Sequence, residues 1–250
     1  MQALSCLVPS RSRGVPRYPA CRNPNPAIRC SNEGGTSLTS RPRTDIGVPV
    51  LRNFEIFFDV SSPWTYLAFT RVLPVLARVP AHTQWRPILV GGVFNAVNRE
   101  VYDRRANPDQ RKAAYYRKDL QDWARLAGIK IGNPPQFPVR AVEAMRCVVA
   151  AEEAGALVPL SKALFEAYWG DLRDISDRAV LAEVIRSIGL DADGILARAG
   201  AAAIKDRLRV NTDELIARGG FGSPTFFIDG GDMYFGNDRL PLVEAALCTH

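Results

Sequence analysis

Hydrophobic and polar positions change their period along the chain, and this change predicts the order of the elements. Residues 54–59 form an apolar run that favours a buried strand. Residues 63–77 follow with helical spacing, opened by Ser62 and Pro63. Residues 83–89 alternate well enough for a second strand. A strand, a helix and a strand of these lengths predict a right-handed crossover with parallel pairing.

The middle of the chain is dominated by helical spacing. Gly91 and Gly92 open a polar stretch through Asn98 to Pro108, which predicts a long loop. Long loops in compact domains are often functional. Apolar residues at helical spacing then predict five helical segments, over residues 111–126, 139–155, 160–169, 177–188 and 195–218.

Strand patterns return near the end of the chain. Residues 224–229 and 233–235, joined by Gly230 and Gly231, predict a β-hairpin, and residues 240–247 predict a closing helix. A helical block between strands implies a helical subdomain inserted into an α/β fold. The predicted division is a disordered extension at 1–50, an α/β domain at 51–90 and 220–250, and a helical insertion at 91–219.

The net charge of +6 is unevenly distributed along the chain, and this distribution decides which partners it predicts. Residues 1–50 contain seven Arg and no Lys against Glu33 and Asp45, which accounts for +5 and leaves about +1 for residues 51–250. Clustered basic residues on a folded surface are the signature of nucleic-acid binding, so no nucleic-acid partner is predicted. No apolar run reaches the ~18 residues of a membrane span, so no membrane partner is predicted either.

Residues 1–50 contain seven Pro, many Ser and Arg, and no hydrophobic periodicity, which predicts disorder. The first 32 residues lack acidic side chains, as organellar transit peptides do, although the prolines prevent a clean amphipathic helix. A non-functional extension and translation begun upstream of the true start are the alternatives. The predicted location is cytoplasmic, or organellar if residues 1–50 are a transit peptide.

The five cysteines and two histidines do not form a recognisable metal or disulfide pattern. No two cysteines are two residues apart, and only His82 and His250 accompany them, so no metal site is predicted. Cys147 is interpreted as a small buried apolar residue. Scattered cysteines favour a reducing compartment.

Ser62 is the candidate catalytic residue, and its local sequence supports two interpretations. A strand that leads into a helix N-terminus presents unpaired backbone N–H groups and a positive dipole end, which favour anions such as a thiolate or a carboxylate. Serine followed by proline is also an ordinary helix start, so a pure capping role is the competing interpretation.

Two motifs relate this plan to a known fold. Ser62-Pro63-Trp64-Thr65 stands where thiol oxidoreductases of the thioredoxin fold have Cys-Pro-x-Cys, and residues 222–225 (GSPT) stand where they have the cis-proline loop. Both redox cysteines are thus replaced, which argues against disulfide exchange. The fold class is therefore expected to be α/β, a thioredoxin-like fold with an inserted all-helical subdomain.

Residues 54–247 resemble the 2-hydroxychromene-2-carboxylate isomerases, relatives of the kappa-class glutathione transferases. The resemblance rests on three stretches in the same order and spacing: FFDVSSPWTYLA, KDLQDWARLAGI followed by FPV, and GSPTFFIDGGDMYFGNDRL. It implies glutathione as the cofactor. It implies that Ser62 hydrogen-bonds the glutathione sulfur, and that Ser223, preceding a cis Pro224, pairs its backbone with the cysteinyl part.

The same resemblance implies roles for three more residues. Asn237 and Asp238 would hold the γ-glutamyl end, with the Asp as counter-charge for its ammonium, and Asn98 would reach toward the glycyl carboxylate. Locally, Ser223-Pro224 also fits a plain turn, and Asn237-Asp238 fits a turn that caps the last helix. Four aromatic residues fit either the core or a substrate wall: Tyr115, Tyr116, Trp123 and Trp169.

The resemblance predicts a glutathione-dependent isomerase that is a homodimer. Its small-molecule substrate would be an aromatic or unsaturated 2-oxo acid, or a cyclic hemiketal such as 2-hydroxychromene-2-carboxylate. Two other functions stay open, a kappa-like glutathione transferase and a non-catalytic thioredoxin-fold binding module. Several relatives carry a lysine shortly after the Gly91-Gly92 turn, where this chain has Phe94, Asn95 and Ala96.

Overall fold

The computed structural model describes residues 51–249, which are built around a four-stranded sheet. Its strands are β1 (Asn53–Phe58), β2 (His82–Pro87), β3 (Thr225–Ile228) and β4 (Asp232–Phe235), in the order β2-β1-β3-β4. β1 pairs parallel with β2 and antiparallel with β3, and β3 pairs antiparallel with β4. The predicted parallel crossover and the predicted hairpin are therefore present. The predicted disorder of residues 1–50 lies outside the described residues.

Ten α-helices accompany the sheet in the described part of the chain. They are α1 (Pro63–Arg78), α2 (Val90–Val97), α3 (Glu100–Ala106), α4 (Gln110–Ala127), α5 (Val142–Ala150), α6 (Leu157–Phe165), α7 (Arg178–Ser187), α8 (Ala192–Ala199), α9 (Ala202–Ala217) and α10 (Leu240–Cys248). A 3₁₀ turn, Ala151–Ala154, continues α5, and a π-helical turn, Glu166–Gly170, continues α6. A second 3₁₀ turn, Asn237–Arg239, leads into α10.

The central strand β1 is buried on both faces because its side chains alternate between two hydrophobic clusters. Phe54, Ile56 and Phe58 join the large cluster that also contains buried residues of α1, α5 and α6. Phe57 joins a smaller cluster on the other face with Leu215 of α9. The large cluster thus includes residues of the sheet and of the helices between its strands. The predicted division into an α/β domain and a helical insertion at 91–219 stays a prediction.

The predicted loop at residues 91–108 is wrong, because this stretch forms α2 and α3. Glycines disfavour a helix by roughly 1 kcal/mol each, which is why the pattern predicts a loop. Tertiary contacts offset this cost: Val90 and Val93 are buried, and the Asp59 carboxylate accepts a hydrogen bond from the Val90 N–H at 2.8 Å.

The single helix predicted over residues 195–218 is also wrong. The chain breaks at Gly200 and Ala201, where Ala201 has extended backbone angles, and the segment forms α8 and α9 instead. The break lets α8 pack against α5 and α7 while α9 packs against α2 and β2. Apolar spacing alone does not reveal it, because each of the two segments by itself has helical spacing.

Candidate active site

Ser62 lies at the N-terminus of α1, where β1 ends and the chain turns into the helix. Its backbone is extended, and its Oγ accepts a hydrogen bond from the Thr65 N–H at 3.2 Å, so it is the N-cap. Pro63 occupies the first helical position. The backbone N–H of Trp64 lies in the first turn and therefore has no acceptor within the helix. It contributes to the partial positive charge at the N-terminus of α1.

The loop before β3 lies directly against this helix start. The Ser223-Pro224 peptide bond is cis, as the resemblance implied. The Ser62 Oγ donates to the Ser223 carbonyl at 3.3 Å, so the two predicted residues are in contact. The Ser223 Oγ accepts from the Asp59 N–H at 3.1 Å and lies 2.7 Å from the Thr65 Oγ1. The loop is therefore more than a plain turn, because Ser223 also contacts the start of α1 and the end of β1.

Asn98 ends α2 and reaches the same loop. Its Nδ2 donates to the Phe221 carbonyl at 3.1 Å, two residues before Ser223, and its Oδ1 accepts from Arg104 at 3.5 Å. Asn98 therefore supports the cis-proline loop in this structure. Its role toward a glycyl carboxylate stays a prediction.

Asn237 and Asp238 follow β4, and a backbone hydrogen bond holds their turn beside the cis-proline loop. The Gly236 N–H donates to the Pro224 carbonyl at 3.1 Å, which places the 3₁₀ turn beside that loop. Asn237 is buried, and its Oδ1 accepts from Arg71 of α1 at 2.8 Å. Asp238 is exposed and pairs with Arg239 at 3.1 Å.

Asp59 is the main residue of the site that the sequence patterns did not single out. It is buried, and its carboxylate accepts from the Ser61 N–H and the Val90 N–H, each at 2.8 Å. Burial raises the pKa of Asp59, while these hydrogen bonds oppose the increase. An acidic residue that directly ends an apolar strand is the signal that could have identified it, because such a group requires partners.

Aromatic side chains border the helix start, and we call Trp64, Tyr116, Phe137 and Trp169 the aromatic rim. The Trp64 Nε1 donates to the Tyr116 hydroxyl at 2.5 Å, and their rings are 5.3 Å apart. Phe137 lies 5.8 Å from Trp169, whose Nε1 donates to the Val60 carbonyl at 2.9 Å. Two of these side chains are half exposed, Tyr116 and Phe137 at 47% each.

The two other aromatic candidates lie apart from these contacts. Tyr115 is 66% exposed, which fits neither the core nor a formed wall. Trp123 is partly buried beneath the guanidinium of Arg71, whose Cζ is 4.5 Å from the ring centroid.

The comparison with known families decides the relationship. A profile described as the DSBA-like thioredoxin domain matches residues 54–248. The chain belongs to this family. The predicted fold class, a thioredoxin-like fold with helices inserted between its strands, is thereby confirmed.

Relatives of this DSBA-like domain include the proteins named by the resemblance. It is 27% identical over 206 residues to the 2-hydroxychromene-2-carboxylate isomerase of Sphingobium xenophagum, covering 78% of this chain and 98% of that protein. It is 26% identical over 212 residues to the human glutathione S-transferase kappa 1, covering 80% and 92%. The predicted resemblance is confirmed.

Solved structures agree with these relatives. A 2-hydroxychromene-2-carboxylate isomerase matches this DSBA-like domain with a TM-score of 0.67 at 26% identity, covering 78% of this chain and 94% of that one. DsbA of Pseudomonas aeruginosa matches with a TM-score of 0.51 at 14% identity, covering 81% and 85%. The second match shows the shared fold alone.

This DSBA-like domain lacks a thiol at its helix start. Within residues 51–249 the cysteines are Cys147 and Cys248, and neither belongs to the turn that opens α1. Cys147 is buried in α5, and burial raises its pKa to about 12, so the thiolate form is disfavoured as expected for an apolar core residue. No helix between residues 51 and 249 combines the length and apolarity needed to cross a bilayer.

Proposed function

We propose that this protein is a glutathione-dependent isomerase of an unsaturated 2-oxo acid or a cyclic hemiketal such as 2-hydroxychromene-2-carboxylate. The observation that carries the proposal is the Ser62 hydroxyl at the start of α1, in contact with the cis Ser223-Pro224 loop. A hydroxyl at a helix N-terminus stabilises a bound thiolate without itself exchanging disulfides. The relatives named as isomerases and glutathione transferases support the same assignment.

Bound glutathione would supply the thiolate that adds reversibly to the substrate double bond, which then allows rotation or ring opening before elimination. Ser62 would donate its hydroxyl hydrogen to the sulfur instead of to the Ser223 carbonyl. The Ser223 carbonyl would then be available to the backbone of the cysteinyl residue, as at the edge of a strand. The protein contributes orientation and stabilisation of the anion.

The residues around this site fit a small zwitterionic peptide. The positive end of α1 suits the thiolate, and exposed Asp238 supplies a carboxylate for an ammonium group. Asn237 is fixed by Arg71 and therefore holds the turn that presents Asp238. The helix start and this turn both contact the cis-proline loop, through Ser62 and Gly236, so a small peptide bound along that loop would meet both.

Glutathione binding tests the proposal most directly. In calorimetric titrations of the full chain, Asp238→Ala is expected to weaken the binding of glutathione about tenfold, because a charge-assisted contact to the ammonium is lost. Asp232→Ala removes an equal charge from β4, where the carboxylate accepts the Tyr234 hydroxyl at 2.6 Å, and should leave affinity unchanged. An unaltered dissociation constant in Asp238→Ala would refute the role of Asp238.

A kappa-like transferase is the second candidate, favoured by relatives of that name from human and Caenorhabditis elegans. The two activities differ in whether glutathione is consumed. Product analysis that finds a stable conjugate would favour the transferase, whereas full recovery of glutathione with an isomeric product favours the isomerase. A cytoplasmic location and a homodimer remain parts of the proposal.

A further inference from the structure

A cationic side chain lies at the aromatic rim. Arg105, in the last turn of α3, places its Cζ 5.3 Å from the ring centroid of Phe137 and 5.6 Å from that of Phe94. Phe137 belongs to the rim and packs against Trp169. Arg105 is therefore held by rings on two elements that are far apart in sequence.

The charge of Arg105 also acts on Tyr116, on the other part of the rim. Burial raises the pKa of Tyr116, while the hydrogen bond from Trp64 and the positive charge of Arg105 oppose the increase. A charge acts on a neighbouring group in this way only over a short distance. Contacts link Arg105 to the turn before α1 as well, since Phe137 packs against Trp169, whose Nε1 donates to the Val60 carbonyl two residues before Ser62.

Within the described part of the chain, the guanidinium of Arg105 does not use its hydrogen-bonding capacity. Among residues 51–249 it donates no hydrogen bond and forms no ion pair, whereas Arg99 and Arg104 nearby donate to the Asn95 and Glu100 carbonyls. Aromatic rings cover the faces of a guanidinium but leave its N–H edges free. Those edges match a carboxylate with two parallel hydrogen bonds.

Resting on the proposed function, we propose that Arg105 binds the carboxylate of the substrate while the aromatic rim contacts its ring. The substrate class is then an aromatic or unsaturated acid rather than a neutral electrophile. Arg105 does not contact the reacting carbon in this arrangement, so it is a binding and specificity residue. It would set the Michaelis constant for acids and leave that for uncharged substrates nearly unchanged.

The test uses two probes of nearly the same size and shape, one charged and one neutral. Cinnamate has an aromatic ring, a conjugated double bond and a carboxylate, and cinnamamide has the same skeleton without the charge. Calorimetric titration of the full chain, without glutathione, should show cinnamate binding about tenfold more tightly. Arg105→Gln should reduce this preference to near one, and Arg105→Lys should restore part of it because the charge returns without the planar fork.

A matched control variant is Arg117→Gln, which removes an exposed arginine from α4, beside Tyr116. Arg117→Gln and Arg105→Gln each remove one positive charge, so any effect of net charge alone is the same in both. Arg117→Gln should nevertheless keep the preference for cinnamate, because Arg105 is still present. Equal binding of both probes by the wild type, no binding of cinnamate, or a preference that survives in Arg105→Gln would overturn the inference.

A separate titration with glutathione keeps the two proposals distinguishable. Glutathione binding together with no preference between the probes would remove the role of Arg105 and leave the proposed function intact. A preference for cinnamate without any glutathione binding would retain the acid site and remove the glutathione-dependent mechanism.

Discussion

Ser62→Ala is expected to lower turnover at least about 100-fold, because the hydroxyl that stabilises the thiolate is lost. Removal of one preorganised donor to a developing or bound anion typically costs about 10²–10³ in turnover. The variant should also lose about 1 kcal/mol of stability, since the Ser62 Oγ caps the Thr65 N–H. Steady-state kinetics and urea denaturation of the same preparations separate the two effects.

Two further variants show whether the hydroxyl or the cap matters. Ser62→Thr keeps a hydroxyl at the helix start and should retain most of the turnover. Asp177 is the N-cap of α7, and its Oδ1 accepts a hydrogen bond from the Ala179 N–H at 2.8 Å. Asp177→Ala should therefore lose a similar amount of stability and keep normal turnover. Full activity in Ser62→Ala would remove Ser62 from the mechanism.

Asp59→Ala is expected to lower the free energy of unfolding by about 2–4 kcal/mol. The substitution leaves the Ser61 and Val90 N–H groups without their acceptor, and a buried unsatisfied donor costs roughly 1–3 kcal/mol. The loss should include the N-terminal turn of α2, since Val90 is its first residue. Urea denaturation monitored by circular dichroism measures the change, with Asp177→Ala as the control of about 1 kcal/mol.

The pH dependence gives a second readout for Asp59. Because burial raises its pKa, the folded protein holds a proton more tightly at this position than the unfolded chain does. Between about pH 4, the unfolded value, and the higher folded value, this group makes the free energy of unfolding fall as pH rises. Asp59→Asn should lose that part of the slope.

Either measurement can contradict this account of Asp59. A loss below about 1 kcal/mol in Asp59→Ala would mean that water or another group replaces the carboxylate at both N–H groups. Identical slopes in the wild type and Asp59→Asn would mean that the carboxyl titrates alike in the folded and unfolded chain.

Local patterns were sufficient where each element carries its own signal. The start of α1 at Ser62 and Pro63, the hairpin around Gly230 and Gly231, and the parallel crossover all follow from residues close in sequence. The resemblance added the cis-proline loop at Ser223-Pro224, which the structure contains. These features depend on short-range sterics and apolar periodicity.

Local patterns failed where distant residues decide the conformation. The glycines at the start of α2 predict a loop, yet the Asp59 carboxylate at the end of β1 caps that helix from 31 positions earlier. The Asn237-Asp238 pair reads as a simple turn, yet Arg71 fixes the Asn237 side chain from α1. No window of neighbouring residues contains either partner, because the interactions form only after the chain has folded.

The sequence by itself determined the α/β order, the serine at the helix start and the relationship to the isomerases, because these depend on patterns within short segments. Only the tertiary structure decided which groups meet. It placed Ser62 against Ser223, buried Asp59 between two helix starts, and brought Arg105 to the aromatic rim. Such contacts depend on packing of elements that are far apart in the chain, and binding chemistry depends on them.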